Sequence, residues 1–271
     1  MKELTMSDIK SEELKILASF DAFCKDNHLK YSLAGGTLLG AIRHNGFIPW
    51  DDDIDLIMPR KDYEEFIQKY SSSQQHFKLV HYTTNANYPY PFAKIVSPRT
   101  YLYETFLLEQ FQLPEMGIWV DIFPSDYIEN PTNRIYWFKQ HIYRVLLRYR
   151  TNSDLTPRTN LFHRYFKAIL VYLIRNHYSN ALPIIKGINR LAQSVAKAKT
   201  KKMGCLVWGY KKKEICNSSL WDDLTTYKFE NLYVKGFKND EYLHNLYGDY
   251  MQLPPKSERI PHHEFKAFWR K

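Results

Sequence analysis

Residues 33–55 read LAGGTLLGAIRHNGFIPWDDDID and hold four of the chain's ten glycines together with four aspartates. The segment before the glycine pair is typical of a short strand, and Thr37 is placed to cap a short helix that runs to about His44. Asn45 and the glycine after it end that helix. The stretch Ile54–Met58 then alternates with acidic residues, which is the period-2 pattern of a strand. These residues predict a strand, turn, helix and strand, and hence a mixed α/β fold for the first half of the chain.

The glycine pair Gly35-Gly36 is compatible with an anion-binding site at the start of that helix. Glycines allow backbone N–H groups to approach an anion closely, and a helix N-terminus favours negative charge. Thr37 adds a hydroxyl group at the same place. A tight strand-to-helix turn without a ligand explains the same residues, so this motif alone does not decide the function.

The acidic cluster Asp51, Asp52, Asp53 and Asp55 favours a ligand-binding function over a turn without a ligand. On a strand, Asp53 and Asp55 share a face and lie about 7 Å apart. Carboxylates so close repel each other unless a cation neutralises them, and Mg²⁺ and Mn²⁺ prefer such oxygen ligands. A solvated acidic loop is the alternative. An EF-hand is disfavoured, because its glycine at position 6 and glutamate at position 12 are absent.

A third acid, Asp121, lies alone in the apolar segment Ile118–Phe123. A buried, isolated aspartate is costly unless it is paired or binds a metal. A glycine-threonine turn, an Asp-x-Asp strand and a later strand aspartate are what phosphoryl or nucleotidyl transfer with two metals requires. We therefore expect Asp121 to complete a metal site.

Apolar periodicity and turn residues place the other elements. Helices are expected at about 7–27, capped by Ser7, and at 60–70, 134–150, 161–175, 182–202 and 240–247. Strands are expected near 77–82, 92–96, 101–107 and 118–123, with an edge segment near 232–234.

Composition excludes several classes of protein. The N-terminus has no apolar signal region, and the longest apolar run has seven residues, whereas a membrane-spanning helix needs roughly 20. The three cysteines are odd in number and widely spaced, which argues against a disulfide framework and a thiolate zinc site. We expect a cytoplasmic protein.

The net charge of +9 is unevenly distributed. Residues 131–213 contain 18 Lys and Arg but one acid, for a net charge of +17, whereas the rest of the chain carries −8. Two predicted helices of this segment mix Trp, Phe and aliphatic residues with Lys and Arg, which suits binding in the plane of an anionic membrane. A helical subdomain with a solvated basic face is the alternative. No nucleic-acid-binding motif accompanies the charge, so nucleic acid is not an expected partner.

The motifs together resemble the signature of the LicD family, which includes bacterial phosphocholine transferases and is related to the fukutin-type ribitol-phosphate transferases. The residues that carry this resemblance are Leu33–Gly40, Arg43-His44, Phe47–Asp55, Asp121–Asp126, Tyr247–Met251, Pro254-Pro255, Arg259 and His262-His263. The basic segment 131–213 carries no motif of the family.

The resemblance implies roles for individual residues. Metal ions would be held by Asp53, Asp55 and Asp121, with Asp51 as a further ligand or a neighbouring partner. Asp121 would also act as base toward the acceptor hydroxyl. Donor and phosphate binding is assigned to Gly35, Gly36, Thr37, Arg43, His44, Asp52, Lys94, Arg259, His262 and His263. Lys94 is equally compatible with an ordinary strand lysine, and the C-terminal motif with a segment that packs over the core.

The expected fold is therefore α/β (α+β), a nucleotidyltransferase-like mixed sheet with flanking helices and a basic, mainly helical insert. Residues 1–130 would form the catalytic core, 131–213 the insert that docks on a membrane or acceptor, and 214–271 a segment that completes the site. The expected reaction is the Mg²⁺- or Mn²⁺-dependent transfer of phosphocholine from CDP-choline to a sugar hydroxyl of a cell-surface glycan precursor, of the teichoic acid or lipopolysaccharide type, at the inner face of the plasma membrane. An Asp-x-Asp glycosyltransferase that uses a nucleotide sugar, and a non-catalytic protein that binds cations and membranes, are the competing hypotheses.

Overall fold

The computed structural model describes residues 2–103, 113, 116–151, 161–196, 198–259 and 265–270. Within them lie seven α-helices, which are α1 (Met6–Asp26), α2 (Gly35–His44), α3 (Arg60–Ser72), α4 (Arg134–Thr151), α5 (Leu161–His177), α6 (Leu182–Ser194) and α7 (Glu241–Tyr247). The strands are β1 (Ser32–Leu33), β2 (Asp55–Pro59), β3 (Lys78–Val80), β4 (Ala93–Val96), β5 (Thr100–Tyr103), β6 (Trp119–Tyr127), β7 (Lys202–Gly204), β8 (Cys216–Asn217), β9 (Leu224–Phe229), β10 (Leu232–Phe237) and β11 (Lys266–Trp269).

The main sheet is mixed and has the order β1-β2-β6-β4-β3. Strands β2 and β6 are parallel, whereas β1 pairs with β2 and β4 pairs with β6 in the antiparallel direction. Strand β7 extends the sheet by pairing with the far end of β6, and β8 pairs with β7. The two central strands thus lie side by side at the point where the acidic motif ends, which confirms the predicted mixed α/β fold.

Helix α1 covers the sheet with its apolar face, where Ile16, Leu17 and Phe20 are fully buried. The expectation that Ser7 caps it is wrong. Thr5 is the N-cap, and its side chain accepts the N–H of Asp8 while the Asp8 carboxylate accepts the N–H of Thr5. This reciprocal capping box satisfies two helix-end donors at once, which a serine at position 7 would not do.

The N-cap of helix α2 is Ala34, three residues earlier than the predicted Thr37. Thr37 lies inside the helix, and its hydroxyl accepts the N–H of Asp55 at 2.9 Å. The prediction that Thr37 caps the helix is therefore wrong, and its side chain instead ties α2 to the start of β2. The predicted end of the helix is confirmed, because Asn45 adopts the left-handed conformation with φ 56°.

The basic segment 131–213 is mainly helical, as expected, but one prediction fails in it. The helix expected over 182–202 ends at Ser194, and Lys202–Gly204 forms β7 of the main sheet. Helix α4 packs against both α5 and α6, and α6 reaches β6. The last residues of this segment are therefore part of the core sheet, and the division of the chain into three domains stays a prediction.

The C-terminal part returns to the core. Strands β9 and β10 form a hairpin, β10 packs beside β1, and β11 pairs with β5. Helix α7 ends at Gly248, which has φ 67°. In the part of the chain that the structure describes, the helices all lack either the length or the apolar character that crossing a membrane requires.

Candidate active site

The centre of the site is a row of three charged side chains across adjacent strands. In the sheet register, Asp55 of β2 pairs with Asp121 of β6, and Asp121 pairs with Lys94 of β4. Residues that pair directly across a sheet project from the same face. The backbone pairing therefore brings together two aspartates and a lysine that are far apart in sequence.

Asp121 is held on both of its oxygens. Lys94 Nζ donates to Oδ1 at 2.5 Å, and the indole N–H of Trp119 donates to Oδ2 at 3.2 Å. Lys94 is 5% exposed, and its ammonium group also lies over the rings of Tyr90, Phe92 and Trp119. The structure thus places Lys94 on the Asp121 carboxylate, and its contact with a phosphate stays a prediction.

The other three aspartates precede β2 in a loop. Oxygens of Asp51, Asp52 and Asp53 lie within 4.8 Å of one another. Asp53 is outside the strand, so the shared strand face expected for Asp53 and Asp55 does not arise from strand geometry. Both residues nevertheless line the same two cavities, and so they converge as the sequence predicted.

Burial and mutual repulsion act on these carboxyl groups. Burial raises the pKa of Asp55 well above its usual range, and the nearby Asp53 and Asp121 raise it further. Burial also raises the pKa of Asp51. Glu13 of α1 is 3% exposed, and its pKa is raised by burial and by the charges of the aspartate loop. Because the acids oppose one another's ionisation, a bound cation would stabilise the cluster.

The two glycines of α2 make room for the carboxylates. At Gly36 a Cβ atom would lie 2.5 Å from Oδ2 of Asp51, and at Gly35 it would lie 3.4 Å from Oδ2 of Asp55. Gly35 has φ 49°, and its N–H donates to the Tyr242 hydroxyl at 3.2 Å. The absence of side chains thus lets the positive end of α2 stand directly beside the acids.

Two cavities meet at the acids and share Asp53, Asp55 and Tyr210. The aromatic cavity has a volume of about 940 Å³ and is lined by residues that include Tyr90, Phe123, Arg144, Trp208, Glu214 and Tyr242. The arginine cavity has a volume of about 640 Å³ and is lined by residues that include Gly36, Arg43, Trp50, Tyr247, Tyr250 and Pro254. Volumes of this size are typical of small-molecule sites.

Of the predicted cationic residues, Arg43 lines the arginine cavity, and Arg259 lies over the ring of Trp50, which also lines it. Arg43 donates to the carbonyl oxygens of Tyr250 and Gln252, and its Nε donates to Nε2 of His44 at 3.0 Å. The Arg259 guanidinium lies 5.3 Å from the centre of the Trp50 ring. Burial lowers the pKa of Arg43, and repulsion from Arg259 lowers it further. Two guanidinium groups that repel each other beside a cavity form a suitable site for a phosphate.

Several lining residues were not predicted from the sequence. Glu214 is the first acid after the basic segment 131–213, which is the one signal that could have drawn attention to it. Arg144 and Arg148 of α4 line the aromatic cavity, so part of the basic charge faces the site instead of the surroundings. His262 and His263, which the family resemblance had selected, lie outside the described residues.

The donor set suits a hard divalent cation. The oxygens of the aspartate loop lie close together, Asp55 and Asp121 are opposite each other, and the ligands gathered among the described residues are carboxylates. Such all-oxygen sets match Mg²⁺ and Mn²⁺ in preference to zinc or copper. We expect Asp51, Asp53, Asp55 and Asp121 to hold the ion.

Comparisons with known proteins agree with this geometry. Residues 28–159 match the family described as LicD/FKTN/FKRP, nucleotidyltransferase domain. The chain is 32% identical to the lipopolysaccharide cholinephosphotransferase LicD of Haemophilus influenzae, over 99% of each chain. Shorter matches join it to uncharacterised proteins of Rickettsia typhi, with 50% identity over 42 residues (16% of this chain and 14% of the relative), and of Rickettsia prowazekii, with 53% identity over 36 residues (13% and 14%). The chain therefore belongs to the LicD family of phosphotransferases, and its core has the nucleotidyltransferase-like fold of that family.

Proposed function

We propose that this protein transfers phosphocholine from CDP-choline to a sugar hydroxyl of a lipopolysaccharide-type glycan and releases CMP. The name of the H. influenzae relative supports the phosphocholine group and the lipopolysaccharide acceptor. The observation that carries the proposal is the row of Lys94, Asp121 and Asp55 across adjacent strands, in which Asp121 lines the aromatic cavity and Asp55 lies where the two cavities meet. A transferase needs such a junction, because the donor and the acceptor must meet at one phosphorus atom.

In this proposal the nucleotide part of the donor occupies the arginine cavity. Arg43 and Arg259 supply positive charge for its phosphates, and the Trp50 ring supplies a flat surface for the cytosine base. The start of α2 at Gly36 lines the same cavity and adds backbone N–H donors. The larger aromatic cavity then remains for the alcohol group of the donor and for the acceptor.

The reaction is a displacement at the choline-bearing phosphorus. The acceptor oxygen forms a bond to phosphorus, the bond from phosphorus to the CMP oxygen breaks, and the proton of the acceptor hydroxyl moves to a carboxylate, for which we propose Asp121. Lys94 and Trp119 hold Asp121 in place through its two oxygens. A Mg²⁺ or Mn²⁺ ion held by the aspartates supplies charge neutralisation for the phosphates.

The test is a transfer assay with the full chain, Mg²⁺, CDP-choline and lipopolysaccharide that lacks phosphocholine. We expect equimolar release of CMP and incorporation of phosphorus into the glycan, and loss of both in Asp53→Ala. Absence of CMP release by the folded protein would refute the proposal. Omission of Mg²⁺ with a chelator tests the metal separately, and addition of Mn²⁺ in its place tests the choice of ion.

The same assay separates the competing hypotheses. A glycosyltransferase would transfer a sugar from a nucleotide sugar and leave no phosphorus in the product. A non-catalytic protein would bind membranes but show no affinity for CDP-choline in calorimetry.

We further propose that α4 and α5 dock the enzyme on the anionic, inner face of the plasma membrane. Their exposed apolar side chains recur at helical spacing, and are Ile135, Phe138 and Ile142 of α4 and Ile169, Tyr172 and Leu173 of α5. The stripe of α4 is flanked by exposed Arg134 and Lys139. Apolar side chains framed by basic ones fit the boundary between acyl chains and anionic head groups, where a lipid-linked glycan would be available.

A vesicle assay tests this docking surface. Phe138 is 66% exposed, and so is Tyr233 on the β10 hairpin, which makes Tyr233 a matched control. We expect binding to vesicles that contain phosphatidylglycerol, a loss of about tenfold or more in Phe138→Asp, and little change in Tyr233→Asp. Equal binding of both variants and the wild type, or no binding to anionic vesicles, would refute this proposal.

A further inference from the structure

The aromatic cavity contains one buried carboxylate that has no part in the proposed metal site. Glu214 is 6% exposed and lines the cavity. Its Oε1 accepts the N–H of Tyr210 at 2.5 Å, whereas Oε2 makes no hydrogen bond within the described residues. Within those residues no Lys, Arg or His nitrogen lies within 4.0 Å of its carboxylate, although its nearest basic neighbour, Arg144, affects it from further away. A buried carboxylate without a cation partner is costly, so Glu214 either keeps a proton or pairs with a cation from outside.

The Arg144 side chain, whose charge acts on Glu214, forms its hydrogen bonds elsewhere. Arg144 donates to the carbonyl oxygens of Trp208 and Gly209 at 2.9 and 3.3 Å. It therefore fixes the segment that carries Trp208 and Tyr210 without forming an ion pair with Glu214. Gly209 has φ 68°, and a Cβ atom there would overlap Oε1 of Glu214. The carboxylate is thus seated directly against the backbone between these two aromatic residues.

Aromatic rings form the walls beside this carboxylate. Trp208, Tyr210 and Tyr242 line the cavity, and Tyr210 stands 60% exposed at its mouth. The Trp208 ring stands at 88° to that of Tyr90, with ring centres 6.1 Å apart. After burial, the charge of Glu214 is the largest cause of the raised pKa of Tyr242, which places the two side chains close together. Ring faces with a single carboxylate favour an organic cation over a metal ion, which would require several oxygen ligands.

The position of Tyr242 connects this corner to the reaction centre. Its hydroxyl accepts the N–H of Gly35, and a Cβ atom on Gly35 would lie 3.4 Å from the Asp55 carboxylate. A group attached to the reacting phosphate by a short linker could therefore extend past Tyr242 toward Glu214. Choline is such a group, because two carbons separate its oxygen from its ammonium.

We infer that Glu214, Trp208, Tyr210 and Tyr242 form the subsite that recognises the quaternary ammonium of the transferred alcohol, with Glu214 as the counter-charge. This inference rests on the proposed function, and it identifies how the enzyme would distinguish choline from uncharged alcohols. The methylated ammonium has no N–H to donate, so ring faces and a carboxylate replace hydrogen-bond acceptors.

Calorimetry of the full chain with Mg²⁺ and three ligands, CDP, CDP-choline and CDP-3,3-dimethylbutanol, tests the inference. The last ligand has the shape of CDP-choline with carbon in place of the charged nitrogen. We expect the wild type to prefer CDP-choline by about tenfold or more, which one or two desolvated cation contacts would produce. Equal affinity of the wild type for both ligands would overturn the inference without any variant.

Variants then separate recognition from a structural role of Glu214. Glu214→Gln keeps an oxygen for the Tyr210 N–H but removes the charge, and we expect it to lose the preference for CDP-choline while its affinity for CDP is unchanged. A merely structural role would instead weaken the binding of all three ligands equally. Trp208→Leu should reduce the preference in the same way, and Glu64→Gln, an exposed acid of α3, should retain it. Failure of the wild type to bind CDP at all would overturn the proposed function, whereas CDP binding without a preference would overturn the subsite alone.

Discussion

The contact between Gly36 and Asp51 leads to a prediction in which activity and stability change in opposite directions. In Gly36→Ala, the new Cβ would lie 2.5 Å from Oδ2 of Asp51, and ordinary contact begins at 3.4 Å, so the oxygen must move by about 0.9 Å. A displacement of ~1 Å at a reacting centre costs on the order of 10²-fold in rate. The φ of Gly36 is not positive, so alanine fits its backbone, and alanine in place of glycine favours a helix by up to about 1 kcal/mol. We expect CMP release to fall about 100-fold while the melting temperature stays equal or rises.

Gly40 of the same helix provides the control. A Cβ there would overlap the carbonyl oxygen of Gly46, which is backbone and cannot rotate away. Overpacking costs about 3 kcal/mol at the upper end of its range, so a net loss of about 2 kcal/mol remains after the helix gain, and the melting temperature should fall by roughly 4–8 °C. The double variant Gly36→Ala with Asp51→Asn should be no less active than Asp51→Asn alone. Full activity of Gly36→Ala, or unfolding like that of Gly40→Ala, would show the reasoning to be wrong.

Three further predictions concern charge. Asp53→Asn should abolish CMP release yet leave the metal-free protein as stable as the wild type or more so in thermal melts, because one repelling charge is gone. Burial raises the pKa of Glu214 from 4.5 to about 7, although the charge of Arg144 opposes this rise. Between these two pH values the folded state therefore keeps a proton on Glu214 that the unfolded state has lost. The contribution of this proton to the free energy of unfolding is complete below pH 4.5 and is lost as the pH rises to about 7. Because glutamine does not titrate, the free energy of unfolding of Glu214→Gln, measured in denaturant titrations, should rise by about 3 kcal/mol relative to that of the wild type across this interval. Arg60 donates to both oxygens of buried Asp126, and Arg60→Met should cost about 3–5 kcal/mol, most of which Asp126→Leu in the same chain should restore.

The elements of residues 33–55 could be predicted from the sequence because the residues that determine them are close together in the chain. Asn45 ends α2 as its turn chemistry requires, and the apolar run after the aspartates becomes the central strand β2. Thr37 was misassigned as a cap because nothing in its neighbours indicates that its hydroxyl would bind the backbone of Asp55, 18 residues away. Local patterns thus predicted the elements, while a tertiary hydrogen bond decided the function of one side chain.

The aromatic cavity shows where sequence reasoning stops. Arg144, Glu214 and Tyr242 span 98 positions of the sequence and carry no common motif. They converge because β7 joins the sheet beyond β6 and because α7 packs back near α2. This convergence depends on the packing of the whole core, so the spacing of these residues in the sequence could not have identified them.

The packing around the aromatic cavity explains part of the uneven charge distribution of the chain. The basic segment 131–213 supplies Arg144 and Arg148 to a cavity that Asp53, Asp55 and Asp121 also line. A donor with a phosphate and an ammonium presents charges of both signs, and it must meet complementary charges at both ends to be oriented. If the basic segment served only as a membrane surface, Arg144 and Arg148 would gain nothing by lining a cavity that also contains acids. Their position in the cavity instead fits the proposed function, in which α4 would bind the substrate with one face and approach the membrane with its exposed apolar stripe.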